Sequence, residues 1–443
     1  MSHATRSGTE RRPLSGARTV AAVVVANMLE WYDFIVYAFF AVYIARNFFP
    51  SDDPSVELLR AFLAFGLGFV IRPIGAIVIG VYGDRAGRKA ALVLTIMTMA
   101  VGTLLIAVAP TYAAIGFGAP LMLVSGRVLQ GFSAGGEIGG AAAFLVEHAP
   151  PDKKGLFASW LQASMGMSNI LGALVAFSVT TFIPVEEVMA WGWRIPFVIG
   201  LLIAPVGWIL LRTLEETPHF KAELERRARE TRSVKAPLVS VFQDHWRSLI
   251  IGLGFSSLWA VCVYTLIIFA PVYVQTAFGF TASQSFSASL IGNIVMVGGC
   301  LVSGALSDSL GRRAMLGVGA ALLFLAVLPL FMWLQASPTA MTLVLVQTTF
   351  CLMVAIFVGV APAALSEIFP VGVRSTGMSI VYNTSITIFG GFAPAILTWI
   401  TQVSGGSVFA PAWYVMGAAA LALFSIMYLP SRAAQRAAHG APA

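Results

Sequence analysis

Gly83-Asp-Arg-Ala-Gly-Arg-Lys89 and, 224 residues later, Ser307-Asp-Ser-Leu-Gly-Arg-Arg313 are two copies of one charged turn, each set between long apolar runs. A second pair keeps nearly the same register. Glu147-x-x-Pro150 followed by Lys154-Gly155 recurs as Glu367-x-x-Pro370 followed by Arg374, at an offset of 220. Either match alone could be chance, but their agreement points to one duplication of roughly six helical spans. The chain is therefore expected to be two similar halves in tandem.

Composition fixes the medium. Of 443 residues, 58% are hydrophobic and only 11% charged, against about 25% charged in soluble chains. That length accommodates about a dozen helices of roughly 20 residues, the span of a bilayer. Hydropathy predicts them at 18–47, 58–83, 89–109, 114–147, 155–182, 194–213, 247–277, 284–307, 313–335, 339–367, 375–402 and 409–430. The expected organisation is a tail (1–17), a six-helix bundle (18–213), a polar linker (214–246), a second bundle (247–430) and a tail (431–443). Within the linker, Thr217-Pro218 reads as the start of a solvated helix over 218–229, supported by Glu223/Arg227 and Glu225/Arg229 at i,i+4. The basic start before an apolar run imitates a signal peptide, but the run is too long and holds acids.

Charge gives the orientation. Of 27 Lys and Arg, 22 fall on one side of an even-numbered topology: both tails, the linker and the loops near 83–89, 149–155, 308–313 and 370–376. The positive-inside rule puts that side, with both termini, in the cytoplasm. The net charge of +7 is thus a topology signal in short loops, not a nucleic-acid stripe. Arg46, Arg60 and Arg194 lie near the opposite face, which leaves Arg72 and Arg127 as the intramembrane cations. The intramembrane acids are Glu30, Asp33 and Glu137. The set holds one more negative than positive charge, which a single proton would neutralise.

In Asn27-Met-Leu-Glu-Trp-Tyr-Asp-Phe-Ile-Val-Tyr37, Asn27, Glu30, Asp33 and Tyr37 project from one helical face. An ionisable group at mid-bilayer costs roughly 3 kcal/mol on insertion scales, so such groups are functional candidates by default. Arg72 has two readings, a ligand for substrate carboxylates or a structural partner of Glu30. Arg127 and Gln130 stand at i,i+3 on the fourth span. Arginine's planar fork suits bidentate carboxylate binding, so two buried arginines suggest an anion with two or three carboxylates. A zwitterion would call instead for an aromatic cage, to which Trp31 and Tyr32 could contribute. Asn169, Asn293, Tyr382, Asn383 and Thr387 either line the site or make hydrogen bonds between helices. Gly131, Gly135 and Gly139 form a small-residue face for close helix approach. Cys262, Cys300 and Cys351 read as core packing. No phosphate-binding loop, metal cluster or nucleophile–base pair is visible, so neither an ATP-driven pump nor an enzyme is expected, and no cofactor beyond a coupling proton.

The charged turn and its copy, with twelve spans in two halves, resemble the major facilitator superfamily. More specific are Asn27-x-x-Glu-Trp-Tyr-Asp-Phe34, Arg72-Pro-x-Gly-Ala76, Gly126-Arg-x-x-Gln-Gly131 running on to Gly135-Gly-Glu-x-Gly-Gly140, and Trp191-Gly-Trp-Arg-Ile-Pro-Phe197. These resemble its metabolite:proton symporter branch, and Tyr43-Ile-Ala-Arg-Asn-Phe-Phe-Pro50 and Ile388-Phe-Gly-Gly-Phe-Ala-Pro-Ala395 look most like the citrate and tricarballylate carriers. The resemblance implies an all-α fold of two pseudo-symmetric six-helix bundles working by alternating access. It implies an inner-membrane monomer whose partners are a proton, a small organic anion and the bilayer. The alternative is a symporter of another small metabolite of the branch, such as α-ketoglutarate, shikimate or a zwitterionic compatible solute like proline or betaine. By likeness to sugar/proton symporters, it places proton coupling at Asp33 facing Arg127, with Glu30 and Glu137 as further acids. Asp84, Arg85, Arg88, Lys89, Glu147, Asp308, Arg312 and Glu367 would latch the cytoplasmic side. The substrate would meet Asn27, Tyr37, Arg72, Arg127, Gln130, Asn169, Asn293, Tyr382 and Asn383.

Overall fold

The computed structural model describes residues 16–86, 88–135, 141–142, 145–147, 149–202, 205, 237–405 and 407–429; side chains at a few of these, including Asp84, Arg85, Arg88 and Lys89, are outside the description. The expected linker helix over 218–229 and Glu137 also lie outside the described residues. Every regular element among the described residues is helical.

In the first half, the first span is Gly16–Phe39, bent by 63° into Ala41–Phe48. The second is Pro54–Val70 and Arg72–Ala86, the third Arg88–Val108, the fourth Gly118–Ala134 and the fifth Lys154–Phe182; the sixth opens as Ile195–Leu201. In the second half, the seventh span joins Trp246–Cys262, a π turn at Val263–Ile268 and Ala270–Phe278. The eighth is Ala282–Leu310, the ninth Arg312–Ala336 and the tenth Ala340–Val358 with Ala361–Glu367. The eleventh joins Arg374–Ser385, a π turn at Ile386–Gly391 and Ala393–Val403; the twelfth is Ala410–Ile426. Length and apolarity alone mark seven of these as membrane spans, or eight with the bent first span, among the described residues. The molecule is an all-α membrane protein of two six-helix bundles.

Local chemistry sets the boundaries. Asp53 caps the second span by accepting from Ser55 N at 2.8 Å, and Pro54 fits the first helical turn. Thr281 and Gln284 form a reciprocal capping box on the eighth span. Gly311 turns the chain from the eighth span to the ninth at φ 95°, a backbone region that side chains avoid, so the turn motif needs its glycine.

Burial is inverted relative to a soluble protein. Ile77 and Leu325 are more than half exposed, while Arg72 and Arg127 are fully buried. A lipid solvent accounts for both. The two halves touch along the fifth and eighth spans, where Gly166 meets Val297 and Thr181 meets Ser283. At the end carrying the charged turns, Asp308 of the second half accepts from Gly155 N (2.8 Å) and Leu156 N (3.1 Å) of the first. Arg374 pairs with Glu147 at 3.6 Å across the same boundary. At the other end Phe62 packs edge-on against Phe269, and Phe39 lies tilted against Phe286. The centre is closed from both sides.

Candidate functional site

The second and fourth spans approach backbone to backbone: a Cβ on Gly131 would overlap the carbonyl of Gly68, and one on Gly135 that of Arg72. Of the expected small-residue face, Gly139 lies outside the described residues. This closeness sets Arg72 and Arg127 side by side at the centre.

Aromatic rings surround both guanidiniums. The Cζ of Arg72 lies 5.3 Å from the Trp31 ring centroid and 4.9 Å from those of Phe34 and Phe69. The Cζ of Arg127 lies 4.8 Å from Phe34, 4.5 Å from Tyr37 and 4.9 Å from Phe65. Phe34 therefore serves both cations. A desolvated cation–π contact contributes about 2 kcal/mol or more, against several kcal/mol for burying an ion. The rings offset burial of the charge but leave the N–H donors unused. Among the described residues, all three side-chain nitrogens of Arg72 lack a hydrogen-bond partner, as do Nε and Nη2 of Arg127, the indole N–H of Trp31 and the hydroxyl of Tyr264. Buried donors of this kind are normally paired. They form a set of sites that an anion rich in acceptors can fill.

Asp33 and Arg127 do not form a direct ion pair. Arg127 Nη1 donates to Gln130 Oε1 (2.7 Å), Gln130 Nε2 donates to Thr103 Oγ1 (3.0 Å), and Thr103 Oγ1 donates to Asp33 Oδ2. The expected meeting of acid and guanidinium is thus made through two intermediaries: Arg127 lies against Phe34 and Tyr37 of the first span, while Asp33 turns toward Thr103 of the third and Gly200 of the sixth. Nor does Arg72 pair with Glu30, whose buried carboxylate has no hydrogen-bond partner among the described residues; the structural reading of Arg72 as a partner of Glu30 is not met.

The polar face of the first span divides among its neighbours. Asn27 donates to Ser164 Oγ of the fifth span (2.7 Å), and Tyr37 to Ala61 O of the second (3.0 Å). Asn169 and Asn293 bond within their own helices, to Met165 O and Ser289 O. Tyr382 packs edge-on against Trp259 with centroids 4.9 Å apart. Asn383 donates to Gly135 O (3.0 Å) and Thr387 to Phe69 O (3.0 Å), both across the boundary between halves. The second contact has a local cause: Pro73 has no N–H, so Phe69 O lacks its usual helical donor. Of the latch residues, Asp308 joins Arg312 (2.7 Å), and Arg312 reaches Glu367 (3.1 Å).

Thr103, Phe34 and Tyr264 were not singled out from the sequence. The two π turns each run straight into Phe-Ala-Pro, at Phe269–Pro271 and Phe392–Pro394. Their inner surfaces meet at the site: a Cβ on Gly390 would press on the Tyr264 ring at 2.7 Å, and one on Gly391 on Phe69 at 2.6 Å. That repeated tripeptide was the signal available for Tyr264, since proline cannot continue regular helical bonding and π turns gather at functional positions.

Two helical bundles closing over buried charges are the architecture of a membrane transporter, and the homologues are named as transporters or symporters. The Major Facilitator Superfamily pattern matches residues 23–381, and the chain belongs to that family. It is 38% identical over 414 residues to a citrate-proton symporter of Salmonella typhi, covering 93% of each chain. It is 32% identical over 424 residues to a glycine betaine/proline/ectoine/pipecolic acid transporter of Dickeya dadantii, covering 94% of this chain and 83% of the relative. Its fold is similar to the crystal structure of a D-xylose-proton symporter, with a TM-score of 0.74 at 17% identity over 93% of this chain and 97% of that one.

Proposed function

We propose that this protein is a proton-coupled symporter importing a small organic polycarboxylate, with citrate and tricarballylate the first candidates, across an inner membrane by alternating access. Both termini and the linker are assigned to the cytoplasm by the Lys and Arg count. The observation that carries the substrate class is the set of unpaired buried donors on Arg72, Arg127, Trp31 and Tyr264. A carboxylate pairs bidentately with a guanidinium, and a second carboxylate on the same molecule reaches the other guanidinium. A betaine brings one carboxylate and one cation. Of the rings that would cage that cation, Trp31 is packed against Arg72 and the hydroxyl of Tyr32 is committed to Pro196 O, and the remaining donors would stay unpaired. The identity to a citrate-proton symporter supports the same assignment.

Asp33 is the better candidate for the coupling proton, since its hydrogen bonds lead to Arg127. Protonation releases Arg127 toward substrate; the filled site then opens to the cytoplasm by parting Asp308 from the fifth span and Arg374 from Glu147. Glu30 and Glu137 are the alternative acids. The test is reconstitution in liposomes under an imposed pH gradient, comparing uptake of labelled citrate, α-ketoglutarate, shikimate and betaine. Citrate accumulation that follows the gradient is expected. Gradient-insensitive uptake would refute symport, and preference for betaine would refute the polycarboxylate.

A further inference from the structure

We propose that Thr103 and Gln130 are positioning residues that transmit the protonation state of Asp33 to Arg127, so that neither the acid nor the guanidinium needs to move far for coupling. The proposal rests on the reading of Asp33 as the proton-accepting group. The donor directions in the chain are forced. A guanidinium only donates, so Gln130 must present its oxygen to Arg127 and its amide N–H groups to Thr103. The Thr103 hydroxyl, with one lone pair used by Gln130, has its single proton free for Asp33. Three like-directed hydrogen bonds therefore run from a fixed cation to an ionised acid, and each polarises the next.

Protonation removes the anion on which the chain ends. The neutral acid carries its own O–H and donates to Thr103 Oγ1, so the threonine proton must turn to another acceptor. Gln130 is no longer polarised by a negative end, and its oxygen holds Arg127 Nη1 less strongly. Arg127 already has Nε and Nη2 unpaired; with Nη1 loosened, the whole fork is available to a carboxylate.

The surroundings are shaped for this chain. On the third span, a Cβ at Gly102 would stand 2.8 Å from Gly126 O and 2.9 Å from Gln130 Cγ, so the glycine lets the fourth span come close enough for Gln130 to reach Thr103. On the sixth, a Cβ at Gly200 would overlap Asp33 Oδ1. Among the described residues, the ionisable groups near Asp33 are Arg127 of the fourth span and, on its own helix, Glu30 and Tyr32, whose hydroxyl is committed to Pro196 O of the sixth span. The third span presents Thr103 and no charge at this depth. All members of the chain belong to the first half, so coupling is set there whatever the second half contributes to substrate shape.

The test uses the full chain in proteoliposomes with labelled citrate, measured two ways: accumulation under a pH gradient, and counterflow with no gradient. Thr103→Val keeps the side-chain shape and removes the hydroxyl, while Thr103→Ser restores it. Expected for Thr103→Val is counterflow within about 2-fold of the parent and accumulation lowered by about 10-fold or more, the scale of one hydrogen bond to a charged group. The pH dependence of its counterflow should flatten, and Thr103→Ser should recover both properties. Undiminished accumulation in Thr103→Val overturns the proposal. So does loss of counterflow together with accumulation, whether or not serine restores it, because the hydroxyl would then serve binding or folding. Failure of the unmodified protein to accumulate citrate under the gradient is a separate result that removes the symport reading itself.

Discussion

Removing the Asp308 carboxylate, as in Asp308→Ala, should unlatch the end of the molecule that carries the charged turns. Asp308 sits on the eighth span but caps the start of the fifth, taking hydrogen bonds from Gly155 N at 2.8 Å and Leu156 N at 3.1 Å. Its side chain is 11% exposed, so these bonds are only partly screened. A hydrogen bond to a charged group is worth about 1.5 kcal/mol at the low end of its range, and two give about 3 kcal/mol, on the order of 100-fold in the closed-to-open ratio. Loss of the favourable carboxylate at a helix N-terminus acts in the same direction. Arg312 would keep Ser307 and Glu367 as partners, so the local fold should survive. Val146, Ala158 and Ala363 pack together from both halves near this end, which makes Ala363→Cys a reporter of opening. With the buried Cys262, Cys300 and Cys351 replaced, alkylation of Ala363→Cys should accelerate on the order of 100-fold when Asp308→Ala is added. An unchanged or slower rate would refute the latch argument.

Two further outcomes are expected. Thr387→Val should destabilise the purified protein by about 1 kcal/mol, because Phe69 O, denied a helical N–H by Pro73, is then left with only the short-range N–H of Ile71. Adding Pro73→Ala restores a helical N–H, so in that background the cost of Thr387→Val should nearly vanish; thermal melts showing additive losses would disprove the link. Arg72→Lys keeps the charge but loses the fork, and citrate affinity measured by calorimetry should fall by about 10-fold or more. Parent-like affinity would mean that Arg72 does not hold a carboxylate.

How much of this could be read in advance depended on cost. The spans were legible because every bilayer-crossing stretch must be apolar, and where both ends are described the helices fall within a few residues of the hydropathy runs, as at 284–307 against Ala282–Leu310. The breaks inside spans were not, since hydropathy is blind to the π turns at Val263–Ile268 and Ile386–Gly391. Asp33, Arg72 and Arg127 stood out because a charge in lipid is expensive. Thr103 and Tyr264 carry no such cost and pass as ordinary residues of apolar helices. The direct contact expected between Asp33 and Arg127 failed for a geometric reason: sequence gives depth along a helix but not which neighbour each side chain meets, and here Phe34 and Tyr37 lie against Arg127 while Asp33 turns to Thr103, with Gln130 completing the link. Asn27 could not be told from a cavity residue by type alone; its partner Ser164 lies 137 positions away.

The rings around the two arginines have a bearing on how the chain is made. Trp31, Phe34, Tyr37, Phe65 and Phe69 all lie on the first and second spans. They leave the ribosome before either Arg72 or Arg127. Each guanidinium is therefore synthesised after the rings that shelter it, Arg72 on the same span as Phe69, and neither has to wait for the second half to be synthesised. The seventh and eleventh spans then dock onto a first bundle whose charges are already housed, adding Tyr264, Asn383 and Thr387 as late arrivals. Nascent-chain order and the order of electrostatic need coincide, so the first bundle can settle as a unit during translation.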